Sequence, residues 1–402
     1  RWLYFTTQFG MHHRVDQLKG ERVSITPAPP AGAPPYRCTW VTPLVLSPHN
    51  GAVLYTGGEK LLRSWNRGKS WEEISPDLTG NDPVKIQGKG HIRYGTITTI
   101  SESPARSGVI WVGTDDGHVH VTRNHGAEWT EVTALLARLG APSDRWISAV
   151  HASPHDAGTA YVAKNGFHDD DPKPYLFKTT DFGRKWHDIS VGLPEGAVNA
   201  VFQDRKNPDL VFAGTDRGLF VSLDGGLNWR PLRANLPPAV VRDLTVHPRE
   251  NDLVVGTYGR AVWITDISPL QQFGKAVADS PCHLFEIEPK PRLNYSQQAS
   301  WGNYQMTGSN HLRTPNEPNG LEIWYYFREG SKEKAVVTIR DIDGKQVFQR
   351  DIEPTPGIAK LYWNTARSEP GVYTVELEYK KEKQLRRTLV REGIYFPVLN
   401  YR

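Results

Sequence analysis

Ser222-Leu223-Asp224-Gly225-Gly226-Leu227-Asn228-Trp229 is one of four copies of a single pattern: Ser or Thr, x, Asp or Asn, x, Gly, x, x, Trp. The other copies are Ser64-x-Asn66-x-Gly68-x-x-Trp71, Thr122-x-Asn124-x-Gly126-x-x-Trp129 and Thr179-x-Asp181-x-Gly183-x-x-Trp186. In chain order the four tryptophans lie 58, 57 and 43 residues apart. The pattern describes a hairpin turn. A strand ends at the Ser or Thr, and the Asp or Asn side chain accepts backbone N–H bonds inside the turn. The Gly takes φ > 0, which other residues resist. The Trp opens the next strand and packs over the turn, its indole N–H seeking an acceptor.

The surroundings of this boxed turn repeat as well. A run ending in Gly precedes it, as in Val53–Gly57, Ile110–Gly113 and Val211–Gly214. An apolar strand and turn come before that, as in Pro43–His49, Ile97–Ser101 and Ile147–His151. Each unit therefore has four strands, A to D, with the boxed turn joining C to D. Four strands in a unit of about 40–50 residues is the pattern of a propeller blade.

Four units are complete, at roughly 40–76, 95–133, 146–190 and 197–233. A fifth, about 240–266, has strands A to C and no boxed turn, and residues 1–28 supply three more strands without an inner one. The fold expected is all-β: a β-propeller of about six to seven blades over residues 1–267, incomplete at its N-terminal side. A short helix over 269–278 and a linker follow within 268–318, then a small immunoglobulin-like β-sandwich over 319–402. Unpaired sheet edges invite pairing. An upstream propeller segment or another polypeptide is thus expected to complete the first blade.

The 13 Trp and 36 Gly suit such a repeat fold, with Gly in turns and Trp filling gaps between sheets. A net charge of +4, with no basic run interleaved with aromatics, argues against a nucleic-acid groove. No run approaches the ~20 apolar residues of a membrane-spanning helix. Cys38 and Cys282 could form a disulfide or be two buried thiols, and spacing leaves both open.

The boxed turns resemble those of the BNR/Asp-box propeller superfamily, which includes sialidases, xyloglucanases and sortilin-type receptors. The chain is most similar to its bacterial sortilin-like, "glycosyl hydrolase, BNR repeat" group. The resemblance is carried by Ser75-Pro76-Asp77-Leu78-Thr79-Gly80-Asn81-Asp82, by Tyr94–Pro104, and by Val255-Gly256-Thr257-Tyr258-Gly259-Arg260 leading into Trp263–Leu270. It implies an exported protein, periplasmic or at the cell surface, and is specific for fold rather than function. A sialidase would carry an Arg-Ile-Pro motif ahead of its repeats, and this sequence contains none.

The boxed turns lie on the rim away from the usual ligand face of a propeller, so Asn66, Asn124, Asp181 and Asp224 are read as structural. His49, His155 and His247, in A–B turns on that rim, are read as turn residues rather than metal ligands. Ligands are expected at the opposite mouth, built from B–C and D–A connections. There the sequence places Glu59, Lys60, Arg93, Tyr94, Arg145, Trp146, His168, Arg217, Tyr258 and Arg260 as candidate ligand-binding residues. Such a set suits a polar ligand, protein or glycan: aromatics stack, while carboxylates and Arg form charged hydrogen bonds. Glycoside hydrolysis would need two carboxyls about 5–10 Å apart. Asp115, Asp116, Asp169 and Asp216, with Asp170 and Asp171, are candidates by position. No cofactor is expected. The run Asp169-Asp170-Asp171 could attract Ca²⁺, though without the spacing of a calcium loop.

Overall fold

The boxed turns do more than reverse the chain: each one fastens its sheet to the sheet before it. In the computed structural model, which describes residues 1–87, 94–233, 235–292 and 318–393, all four turns share one geometry. The Ser or Thr hydroxyl accepts the Gly N–H four residues on, at 2.8 Å for Gly68 and Gly226 and 3.0 Å for Gly126 and Gly183. The Asn or Asp oxygen accepts the next-but-three N–H, from Ser70, Glu128, Lys185 and Asn228. The indoles of Trp71, Trp129 and Trp229 then donate to Ile25, Ile74 and Ile189, the residues that end the preceding sheet. The Gly of each of these three turns lies against the same residue: a Cβ on Gly68 would come 2.7 Å from Ile25 Cβ, and one on Gly226 2.8 Å from Ile189 Cδ1. The glycine thus answers two demands, a positive φ and a close approach between sheets.

Residues 1–267 form one compact unit of six antiparallel sheets in sequence order, the blades of a propeller. The second blade comprises Leu44–Leu46, Leu54–Gly57, Leu61–Ser64 and Glu72–Glu73. The third comprises Ile97–Glu102, Ile110–Thr114, Val119–Thr122 and Thr130–Glu131. The fourth is Trp146–Ala152, Ala160–Gly166, Asp171–Thr179 and His187–Asp188, and the fifth Val198–Gln203, Val211–Thr215, Gly218–Ser222 and Arg230–Pro231. Their second strands are buried along their whole length, because neighbouring blades cover both faces of each sheet. That is why these strands read as unbroken apolar runs rather than alternating ones.

The terminal blades are shorter. The first has Trp2–Thr7, Met11–Asp16 and Glu21–Ser24. Ile25 N–H bonds His12 carbonyl as Ile74 N–H bonds that of Leu61, which marks these strands as B, C and D. The inner strand A is absent among the described residues. The sixth blade has Val241–Val246, Asp252–Thr257 and Val262–Asp266, strands A to C. Thr265 stands opposite Leu253 as Ser64 stands opposite Leu54. The chain then turns into the helix Ser268–Gln272 instead of a boxed turn.

Residues 268–402 form the second unit. The single helix expected over 269–278 is two, Ser268–Gln272 and Lys275–Asp279, because Gly274 between them is extended. The sandwich pairs one sheet, Cys282–Leu284, Leu321–Phe327 and Gly357–Trp363, with another in the order Lys290–Pro291, Glu382–Arg391, Gly371–Tyr379, Ala335–Arg340 and Gln346–Ile352. Leu321, Ile323 and Phe327 alternate inward against Val337, Ile339, Val375 and Leu377. The Tyr373 hydroxyl donates back to the Glu369 carbonyl at 2.7 Å, the tyrosine corner of immunoglobulin-like sandwiches. Most of the expected linker, residues 293–317, lies outside the described residues.

The cysteine pairing that spacing left open is resolved against a disulfide: Cys38 and Cys282 are not joined and lie one in each unit. Burial pushes the Cys282 thiol up to about 11, so it behaves as an apolar core side chain. Cys38 is only half-buried.

Candidate ligand mouth

The mouth is set by how each inner strand begins. In four blades a bulge falls on the second or third residue of that strand, at Thr98, Ser148, Asn199 and Arg242. Thr98 Oγ1 donates to Ile147 carbonyl at 2.7 Å and Ser148 Oγ to Val198 carbonyl at 2.6 Å. Asn199 Nδ2 reaches Val241 carbonyl at 3.1 Å. Each blade thereby grips the inner strand of the next. Arg242 departs from the series, donating back to Asn199 Oδ1 at 3.1 Å while its guanidinium lies over Tyr258. These four positions were not singled out from sequence. Their signal is a polar residue at the same offset in otherwise apolar strands.

Several predicted acids prove to be held by the fold. Asp115 is buried, accepting Gly95 N–H at 3.0 Å, Thr96 N–H at 2.8 Å and the Thr96 hydroxyl at 2.8 Å. Burial pushes its carboxyl up to about 6 against the pull of those donors, and Asp116 nearby adds to the rise. Such a value would suit a general acid, yet in this structure the carboxyl is buried and anchors the Gly95–Thr96 turn. Asp116 accepts Gly80 N–H at 2.8 Å and the Thr114 hydroxyl at 2.5 Å. Asp216 accepts Asn199 Nδ2 at 2.9 Å.

The fourth blade carries the most elaborate cluster. Arg145 bonds Asp171 at 3.2 Å and Asp144 at 2.8 Å, and lies 3.7 Å from Asp169. Asp171 also accepts the Tyr175 hydroxyl at 2.9 Å. Burial works to raise the Asp171 carboxyl, but these bonds outweigh it and hold it below the usual range. Within the Asp169-Asp170-Asp171 run, Asp169 and Asp171 are thus both drawn to the Arg145 guanidinium. Asp171 turns toward Arg145, Asp170 takes a left-handed backbone at φ 51°, and Asp169 and Asp170 face solvent. Among the described residues no group of three or more His, Cys, Asp or Glu side chains is arranged to hold a metal ion. His168 leans on Trp146, with ring centroids 5.9 Å apart, and Phe167 beside it is exposed.

Tyr94 joins this side of the mouth to the third blade. Burial raises its phenol, and the charges of Asp115, Asp116, Asp144 and Asp169 raise it further. Lys85 lies over that ring at 5.1 Å. Beneath the cluster, Lys164 is fully buried in the fourth blade. Its ammonium donates to the carbonyls of Pro142 at 2.8 Å and of Ser143 and Gly117 at 3.3 Å, pinning the connection that delivers Asp144 and Arg145. Sequence reasoning missed Lys164, which sits in an apolar strand and has no motif around it.

The remaining candidates are more dispersed. Glu59 accepts Arg37 N–H at 2.7 Å, and Lys60 pairs with Glu73 at 2.7 Å. Arg37, not foreseen, bonds Asp77 at 2.8 Å and Gly95 carbonyl at 3.1 Å, tying the second blade to the third. Arg217 donates to Glu195 carbonyl at 3.0 Å, while Tyr258 and Arg260 stand exposed on the sixth blade. Arg93 lies outside the described residues. On the opposite rim, His49 and His155 reach the Ser103 and Asp204 carbonyls of the following blades at 2.9 and 2.7 Å. His247 accepts Glu250 N–H within its own turn.

No protein-family model matches the sequence. No curated protein matches it either. Solved structures similar to it include the GH74 xyloglucanase from Xanthomonas campestris, at 22% identity and TM-score 0.49, covering 68% of this chain and 44% of that one. The extracellular domain of a protein described as a hybrid two-component system from B. thetaiotaomicron is similar at 11% identity and TM-score 0.47, covering 97% of this chain and 49% of that one. YCF48 bound to D1 peptide is similar at 11% identity and TM-score 0.41, over 63% of this chain and 70% of that one. The chain thus spans less than half the length of the xyloglucanase and of the two-component-system domain.

Proposed function

We propose that the chain is a binding module of an exported Asp-box, sortilin-like protein, and that it recognises a protein or glycan through the mouth formed by its third and fourth blades. The observation that supports this reading is how the mouth acids are occupied. Asp115, Asp116, Asp171 and Asp216 each accept hydrogen bonds from the fold itself. The groups facing solvent, Phe167, His168, Asp169 and Asp170, form instead a mixed aromatic and acidic tip beside Trp146. Aromatic faces with adjacent acids suit a polar ligand held by stacking and charged hydrogen bonds. The open inner edge of Trp2–Thr7 belongs to the same proposal, as the place where an extended segment of this or another polypeptide adds a strand.

The test is a binding screen of the chain against glycan and peptide arrays, repeated with Phe167→Ala and Trp146→Ala. Affinity for the selected ligand should fall at least about tenfold, or ~1.4 kcal/mol, in the double variant. Unchanged affinity would reject the mouth as the site. The second reading, a glycoside hydrolase or polysaccharide lyase, would use a carboxyl pair such as Asp116 and Asp169, neither of them buried. Polysaccharide turnover abolished by Asp116→Asn or Asp169→Asn would establish it in place of the first. Export is checked by cell fractionation.

A further inference from the structure

Three junctions of the propeller bring one boxed turn up to the next, and two of them are bridged in the same way. The residue just before the Ser or Thr of the turn is Arg63 in the second blade and Lys178 in the fourth. Each reaches the fourth residue of the following boxed turn. Arg63 Nη1 donates to the His125 carbonyl at 3.2 Å, and Lys178 Nζ to the Gly225 carbonyl at 3.1 Å. Arg63 also bonds Glu72 at 2.8 Å. Between the third and fourth blades the same position is Val121, which is short and carries no donor. A cavity of about 260 Å³ opens there, lined by Val121 and by Phe182, the fourth residue of the next boxed turn.

Two arginines line this cavity as well, Arg106 from the A–B turn of the third blade and Arg123 from its boxed turn. The Arg123 guanidinium lies over the Phe182 ring at 5.4 Å. Among the described residues neither guanidinium has a hydrogen bond or an ion pair. Glu128 is the one carboxylate of the lining, and it is engaged by Asn124, whose Nδ2 donates to it at 3.5 Å. The cavity therefore carries two cations against one anion. A guanidinium is a planar fork of donors that matches a carboxylate, sulfate or phosphate group, and it cannot lose its charge.

We propose that this cavity binds a small oxyanionic ligand whose carboxylate, sulfate or phosphate group is held by Arg106 and Arg123. Its volume is below the roughly 300–1,000 Å³ of pockets for drug-sized ligands, which suits a single anion or one acidic sugar rather than a stretch of polymer. Val121 and Phe182 give the body of such a ligand an apolar wall. The site belongs to the boxed-turn rim and shares no residue with the mouth, so its fate is independent of the reading of the mouth.

Titration calorimetry of the chain at low ionic strength, where exposed charges are least screened, tests this with glucuronate, inorganic sulfate and glucose as probes. The variants are Arg106→Gln with Arg123→Gln, and Glu128→Gln, all at exposed positions, with thermal unfolding as the check that each is folded. The anions should bind saturably and glucose should not. The double arginine variant should lose at least about tenfold in affinity, as removal of charged hydrogen bonds requires. Glu128→Gln should strengthen binding, because a like charge leaves the wall. Sulfate that binds at least as tightly as glucuronate would identify a free inorganic anion as the ligand, and tighter glucuronate an acidic sugar; both carry the proposal. Absence of saturable binding by either anion, equal binding of glucose, an affinity unchanged in the double variant, or weaker binding in Glu128→Gln would overturn it.

Discussion

Replacing Gly126 with alanine should destabilise the propeller by two separable terms. Gly126 has φ +94°, a conformation that costs an L residue about 1–2 kcal/mol. An added Cβ would also press on the Ile74 carbonyl and side chain of the preceding blade. Ile74 is held in place, since its N–H bonds Leu61 carbonyl at 2.9 Å and its carbonyl accepts the Trp129 indole at 2.8 Å. Overpacking against a site that cannot retreat costs roughly 1–3 kcal/mol more. Gly140 separates the two terms, for it has φ +87° and nothing within 4 Å of its would-be Cβ. Gly140→Ala should therefore cost only the conformational part, and Gly126→Ala about 1–3 kcal/mol beyond it. For a unit of this size that difference lowers the melting temperature by roughly 2–4 °C per kcal/mol. Calorimetry of the propeller transition in both variants reads it directly. Equal costs would refute the claim that these glycines are demanded by the approach of the preceding blade.

Two further outcomes follow from the same structure. Trp229 Nε1 donates to Ile189 carbonyl at 2.6 Å, whereas the buried Nε1 of Trp186 has no partner among the described residues. Trp229→Phe strands a carbonyl, which costs about 1–3 kcal/mol, and Trp186→Phe strands nothing; urea unfolding should rank Trp229→Phe as clearly the more damaging. Lys164 supplies a pH dependence: burial pushes its ammonium from 10.5 down to about 8. Between those values the unfolded state binds more protons than the folded one, so stability rises with pH across that window and the penalty is fully present below about 8. Relative to Lys164→Met, the wild type should gain on the order of 3 kcal/mol from pH 8 to 10.5, and a stability difference that stays flat there would contradict the burial of this charge.

How much of this was legible in advance differs between fold and site. The hairpin chemistry of the boxed turn is local: an oxygen side chain, a glycine and an indole within eight residues define it, so four blades could be counted from sequence alone. The two unboxed blades were legible too, because strand periodicity survives without the turn. The site was less so. Asp115 and Asp169 look alike as loop aspartates, yet one is enclosed by the Gly95–Thr96 backbone and the other faces water beside Arg145. Lys164 and Arg242 looked unremarkable because their partners come from other blades or connections, far away in the chain.

By itself, then, the sequence determined the repeat, the strand order within each blade, the short terminal blades and the sandwich that follows, since each depends on turn chemistry and periodicity among near neighbours. Only the tertiary structure decided which acids are anchors and that the boxed glycines and indoles bind one blade to the one before. Those facts depend on what the adjacent blade presents at each position. The contacts that settle them join residues about 40–60 positions apart, such as Trp229 with Ile189 and Trp129 with Ile74, and no local pattern encodes that pairing.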